Sequence, residues 1–139
     1  MIKYIEQNPT AQEYNNLTNS VGWGKRDNQI VEEALKNTLY SYCGYDNSKL
    51  IGYGRIIGDK TIFLYIQDIM VVPKYQNRKI GTEIMNGLLK KIKEYRKISP
   101  DIRVYLGASK GKESFYKKFG FATRKEADLG EEMILTECK

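Results

Sequence analysis

The chain contains no histidine. That excludes a Ser-His-Asp or Cys-His nucleophilic relay and a paired-histidine zinc site, because each needs an imidazole. Cysteine is nearly absent. Cys43 and Cys138 stand far apart with no CxxC between them, and each reads as a small packed side chain. No metal is expected. No apolar run approaches the length of a membrane span, so no membrane partner is expected. The opening Met1-Ile2-Lys3-Tyr4-Ile5-Glu6 lacks the basic-then-apolar layout of a secretory leader, and the expected location is cytoplasmic. Repeats, linkers and low-complexity stretches are also missing, which points to a single domain over residues 1–139.

What is present suits that size. The chain has 139 residues, of which 41% are hydrophobic, enough for one ordinary core. Its net charge of +6 favours an anionic partner: nucleic acid, a membrane surface or a polyphosphate cofactor. A solvated lysine-rich surface gives the same number, so charge alone does not choose.

Local patterns divide the chain into alternating elements. Ile2 to Glu6 reads as a short strand. Thr10 and Glu13 have the spacing of a capping box, opening a helix that runs to about Ser20. Trp23 follows in a loop between two glycines, and a second helix covers about Asn28 to Lys36. Leu39–Tyr45, Lys49–Ile57 and Thr61–Val72 read as an antiparallel meander. Ile80, Ile84, Leu88 and Ile92 then fall four apart, the stripe of an amphipathic helix. Ile102 to Leu106 is a strand, parallel to its predecessor if that helix is a crossover. A short helix over Lys112–Phe119 ends at Gly120, and Phe121–Ala122 and Glu132–Leu135 suggest closing strands.

The stretch from Asp68 to Met85 carries the chemistry. It is a strand, a polar loop and the start of an amphipathic helix. Such a junction offers unpaired N–H groups and the positive end of a helix dipole, a natural pyrophosphate cradle. Gly81 on the first turn permits close approach, and Lys74, Arg78 and Lys79 add positive charge.

Within that stretch, Gln76 to Gly81 resembles motif A of the GNAT superfamily of N-acetyltransferases, usually Q/R-x-x-G-x-G/A. Lys79 replaces its middle glycine. Glu113 to Phe121 is similar to motif B, with its F-Y-x-x-x-G-F pattern. The resemblance covers nearly the whole chain. It implies an α/β fold: a mixed, mostly antiparallel sheet splayed between strands 4 and 5 and flanked by helices. It implies acetyl-CoA as co-substrate. Ile69, Met70 and Val71 would offer backbone groups to the pantetheine arm and acetyl carbonyl. Gln76, Asn77, Arg78, Lys79, Ile80, Gly81 and Thr82 would wrap the pyrophosphate. A backbone N–H near Val71 would stabilise the oxyanion. Tyr116 matches the tyrosine that protonates the departing thiolate.

The base is open. Relatives often use the substrate face of the fourth strand. Alternation puts Tyr65, Gln67, Ile69 and Val71 on one face; neither Tyr65 nor Gln67 is a good base, though both can hold a water. Asp68 is the strand's carboxylate, placed on the other face unless a bulge rotates it. The acceptor pocket is expected from the first two helices and the meander, with Trp23, Tyr40 and Tyr65 as its residues. Aromatic walls suit an amine.

These readings converge on an N-acetyltransferase acting on a small-molecule primary amine by direct attack in a ternary complex. No nucleic-acid partner is expected, and a homodimer is left open. The alternative is a non-catalytic acyl-CoA-binding sensor or a basic nucleic-acid-binding module using the same cradle.

Overall fold

The computed structural model of the protein describes residues 1–138. They form two compact units, Met1–Leu106 and a second that begins at Gly107. In the first, β1 (Ile2–Glu6) leads to helices α1 (Ala11–Ser20) and α2 (Asn28–Lys36). The meander β2 (Tyr40–Asp46), β3 (Lys49–Gly58) and β4 (Phe63–Val71) follows, then α3 (Ile80–Ile98) and β5 (Arg103–Leu106). The sheet order is β1-β2-β3-β4-β5. The first three pairings are antiparallel and β4–β5 is parallel, as a crossover through α3 requires. This is the open mixed sheet with flanking helices that the sequence predicts.

Local chemistry sets the helix starts. Thr10 caps α1: its hydroxyl accepts from the Glu13 N–H at 3.1 Å, and Glu13 accepts from the Thr10 N–H at 2.9 Å. Asp27 caps α2 by accepting from the Gln29 N–H at 2.8 Å. Buried Asn15 ties the two helices together. It donates to the Arg26 carbonyl and Asn28 Oδ1 at 2.8 Å each and accepts from the Arg26 N–H at 2.9 Å.

The helices cover opposite faces of the sheet. A Cβ placed on Gly52 or Gly54 of β3 would meet Ile80, Ile84 and Leu88 of α3, so those positions face α3. Tyr53, between them, faces the other way and meets Tyr14 of α1 edge-on, centroids 5.9 Å apart. Ile84, Met85 and Leu88 are completely buried on one side, and Leu17 and Val31 nearly so on the other.

In the second unit, α4 (Glu113–Lys117) is shorter than the periodicity suggests. Gly120, at φ +93°, ends this segment in a left-handed turn. Neither expected closing strand is present among the described residues: 121–135 contains turns and irregular chain. Directly after Phe121–Ala122, the Thr123 and Glu126 side chains bond reciprocally to each other's N–H at 3.1 and 2.9 Å and close a turn. Met133, Ile134 and Leu135 are left exposed.

Candidate active site

Strand β4 is paired on one side only for part of its length. Its parallel partner β5 matches Phe63 through Ile66 and stops at Leu106. Among the described residues no strand lies beside the outer edge of β4 from Gln67 to Val71, while β3 continues along the inner edge. The Val72 N–H donates to the Ile51 carbonyl at 2.9 Å, toward β3. Alternation therefore turns the Val71 N–H and C=O outward to the open edge and those of Met70 inward. The Val71 carbonyl is taken by the Gln76 side chain, whose Nε2 donates at 3.0 Å. The same alternation turns the Ile69 C=O outward, so of the backbone groups expected to serve a ligand the geometry presents the Ile69 C=O and the Val71 N–H at the open edge.

The loop after β4 is anchored. Pro73–Tyr75 forms a 3₁₀ turn, and the Tyr75 hydroxyl donates to the Asp46 carboxylate at the β2–β3 hairpin. Lys74 and Arg78 lie over the Tyr75 ring, 5.6 and 5.2 Å from its centroid. Two of the three cations of this loop are thus stacked on an aromatic face. Asn77 and Lys79 both sit in the left-handed region, at φ +62°. Lysine ordinarily prefers negative φ, yet Lys79 occupies the left-handed region that glycine takes most easily, and it caps α3 without a side-chain bond. The first α3 turn closes with Glu83 N–H to Lys79 C=O, so the Ile80, Gly81 and Thr82 N–H groups precede any intrahelical partner. Residues 77–82 therefore present left-handed turns and an uncapped helix start on one short segment, an arrangement suited to anions.

The inner edge of β4 carries a bulge. Tyr53 pairs with Met70 and Arg55 with Gln67, so Asp68 and Ile69 together oppose Gly54. Asp68 is itself left-handed, at φ +60°. Directly opposed residues share a face, so Gln67 lies with Arg55 on the α1 side and Val71 with Gly52 on the α3 side. A Cβ at Gly54 would come within 2.7 Å of Ile69, which places Ile69 on the α3 side too. This corrects the simple alternation. Tyr65, Gln67 and Asp68 share the α1 face, while Ile69 and Val71 share the other. The bulge rotates Asp68 to the face where a base was sought, but its carboxylate is already engaged. Oδ2 accepts from Arg55 Nε and from the Tyr14 hydroxyl, each at 2.7 Å. Both side chains of the ion pair are largely buried. Burial on its own lowers the Arg55 pKa, and the Asp68 charge more than offsets this, leaving it raised. Tyr14 is pushed up to about 12, by burial and then by the Asp68 charge.

The expected pocket residues do not all share one face. Trp23 is half exposed, on a loop held to α1 by its own N–H to the Thr18 carbonyl at 2.9 Å and by Thr18 Oγ1 to the Gly24 carbonyl at 2.7 Å. Tyr65 faces the same side as α1. Tyr40 does not: it opposes Ile56, stacks on Tyr42 and lies under Lys91 of α3. Beside Tyr65 are two aromatics that sequence reasoning missed, Phe63 and Tyr105, with centroids 5.4 Å apart. Phe63 stands two residues before Tyr65 on the same strand face, a spacing the sequence shows, whereas Tyr105 joins them only through the β4–β5 pairing. In the second unit, Tyr116 packs edge-on against Phe115 at 5.1 Å, and burial raises its pKa.

The sequence matches the Acetyltransferase (GNAT) domain family over residues 10–135. The chain belongs to the GNAT acetyltransferase family. An uncharacterized ycf52-like N-acetyltransferase of Prochlorococcus marinus is 34% identical over 113 residues, covering 78% of this chain and 61% of that protein. The chain spans about three fifths to two thirds of the length of such curated relatives. Among solved structures, a probable acetyltransferase from meticillin-resistant Staphylococcus aureus has a TM-score of 0.83 at 33% identity, over 97% of this chain and 99% of that one. A GNAT acetyltransferase of Brucella melitensis, solved with acetyl-CoA, shares the fold at a TM-score of 0.63 and 16% identity, over 88% and 84% of the two chains.

Relative to the GNAT pattern, the residues that hold this site in shape were the harder ones to foresee. Tyr75 and Asp46, and Tyr14, Arg55 and Thr38, are far apart in sequence and meet only through the fold. Among the described residues no cluster of acidic or cysteine side chains is assembled for a metal, and no helix is long and apolar enough to cross a membrane.

Proposed function

We propose that the chain transfers the acetyl group of acetyl-CoA to a small primary amine by direct attack in a ternary complex. The observation that carries this reading is the free Val71 N–H on the open edge of β4, a few residues before the uncapped start of α3. The two features match the two ends of acyl-CoA: a polar amide arm that takes strand-like hydrogen bonds, and a pyrophosphate that takes helix N–H groups. The acetyl-CoA bound to the Brucella relative supports the same ligand.

In this mechanism the Ile80, Gly81 and Thr82 N–H groups hold the pyrophosphate. The Val71 N–H polarises the acetyl carbonyl and takes the charge of the tetrahedral oxyanion. The neutral amine nitrogen forms the new C–N bond, the C–S bond breaks, the Tyr116 phenol gives its proton to the departing thiolate, and the proton shed by the new amide nitrogen passes through water to restore the phenol. A phenol kept protonated by burial suits that task. Asp68 is occupied by Arg55 and Tyr14, so no free carboxylate on β4 serves as base. The amine loses its proton to water, held by Gln67 or Tyr65, or arrives neutral. Phe63, Tyr65 and Tyr105 form the aromatic wall for the acceptor, with Trp23 a further candidate. The two free thiols, Cys43 and Cys138, fit a reducing cytoplasm.

The test is acetyl-CoA-dependent thiol release across a panel of primary amines, polyamines, aminoglycosides and peptide N-termini. Release that requires one amine class supports the reading. Tight CoA binding with no release from any amine would favour an acyl-CoA sensor.

A further inference from the structure

A left-handed aspartate inside a strand is a costly conformation that persists only when its surroundings over-determine it. Here two elements converge on one carboxylate oxygen. Tyr14 reaches Asp68 Oδ2 from α1, and Arg55 reaches it from β3. Arg55 is held at its other end, where Nη1 donates to Thr38 Oγ1 at 3.0 Å, just past the end of α2. Side-chain exposure is only 16% for Arg55 and 13% for Asp68. An exposed pair of this kind would hold little in place, whereas removing one partner of a buried pair strands the other. The facing strand is shaped to match. Gly54 opposes the bulge, and a side chain there would strike Ile69, Ile84 and Leu88 at 2.7 to 2.9 Å.

The bulge also decides which peptide faces the open edge. Without its extra residue, the register beyond it slips by one. The Val71 N–H would then turn toward β3, and the Val72 N–H would leave Ile51 and point outward. We propose that Arg55 and Tyr14 are positioning residues. By clamping Asp68 they fix the β4 bulge, and through it they aim the Val71 N–H into the open edge. Their link to α1 and the end of α2 ties the helices on the acceptor side to the strand that polarises the acetyl group. The kinetic part of this inference rests on the acetyl-transfer reading above; the structural part does not.

Two readouts separate these parts. Backbone amide exchange by NMR, with no substrate present, should find the Val72 N–H protected and the Val71 N–H fast in wild type. Arg55→Met should lower Val72 protection at least tenfold, and Tyr14→Phe should lower it less. Both should reduce kcat, roughly tenfold for Arg55→Met, with KM for acetyl-CoA within about twofold. A glycine takes the left-handed conformation without help. The triple variant Asp68→Gly/Arg55→Met/Tyr14→Phe should therefore restore the exchange pattern and bring kcat to within about threefold of wild type. If Arg55→Met does not fold, Tyr14→Phe and the triple variant still decide. Unchanged Val72 protection in the single variants overturns the clamp. A restored pattern with lost kcat overturns it as well, because Asp68 would then act in the chemistry. If wild type acetylates no amine, the acetyl-transfer reading fails and the exchange pattern alone decides the clamp.

Discussion

Lys79 shows how backbone demand outlasts residue identity. Its relatives' motif has glycine there, and lysine would be expected to pull the loop toward negative φ. The loop keeps its left-handed turn instead, with Lys79 at φ +62°. An L-residue pays roughly 1–2 kcal/mol for that conformation, and glycine's extra chain entropy recovers part of the difference. Lys79→Gly should therefore stabilise the protein by roughly 0.5–1 kcal/mol. A urea midpoint that rises at constant slope would show it, and an unchanged or lower midpoint would mean the turn is not strained. Titration at buried residues gives a second expectation. Burial first, then the Glu13 charge, pushes the Cys43 thiol up to about 12 from an ordinary 9.0. Tyr14 and Tyr45 rise to about 12 from 10.0, each chiefly by burial. All three stay neutral in the folded chain after the unfolded chain begins to ionise. Their contribution is full below about pH 9 and is lost as pH climbs toward about 12. The urea midpoint should fall between pH 7.5 and 10.5. Near neutral pH a thiol reagent should modify exposed Cys138 at once and Cys43 only on unfolding.

At the scale of elements, much was legible because the signals were local. The Thr10–Glu13 capping box, the four-residue apolar spacing of α3 and the hairpin at Asp46–Lys49 each act within one turn or two strands. What stayed hidden was non-local or subtractive. The β4 bulge depends on Arg55 and Tyr14, which lie 13 and 54 residues from Asp68. Beyond Phe121–Ala122 the chain turns where Thr123 and Glu126 satisfy each other's N–H groups, which leaves no ladder to extend. Gly87, deep in α3, is another such case. Helix propensity alone says Gly87→Ala should gain about 1 kcal/mol. But an added Cβ would sit 2.3 Å from the Tyr42 ring, which is stacked between Tyr4 and Tyr40 at 5.8 and 6.2 Å. Overpacking of that kind costs about 1–3 kcal/mol. The net effect should be destabilisation, with a changed near-ultraviolet tyrosine signal. A stabilised Gly87→Ala protein would show that the tyrosine stack yields freely.

At the scale of the whole molecule, the proposed reaction makes a joint prediction about rate and pH, with Tyr116 entering as proton donor by the resemblance of its motif. Tyr116 must give a proton, so it has to be a phenol at the working pH, and burial raises its pKa above the ordinary 10.0. The acceptor amine must lose a proton, and Asp68 is engaged elsewhere. The kcat/KM profile should therefore rise toward the amine's own pKa and stay flat above it to about pH 10, with no earlier alkaline loss. Tyr116→Phe keeps the ring and removes the hydroxyl. It should lower kcat roughly ten- to a thousand-fold with little change in KM for acetyl-CoA, near or somewhat below the usual range of acid–base effects. Where chemistry limits the rate, an unaltered kcat would make Tyr116 a packing residue. Asp68→Asn supplies the opposite control. Once its loss of stability is accounted for, it should leave the shape of the profile unchanged. The disappearance of a distinct acidic limb would instead identify Asp68 as the base, and the clamp by Arg55 and Tyr14 would then have to open during turnover.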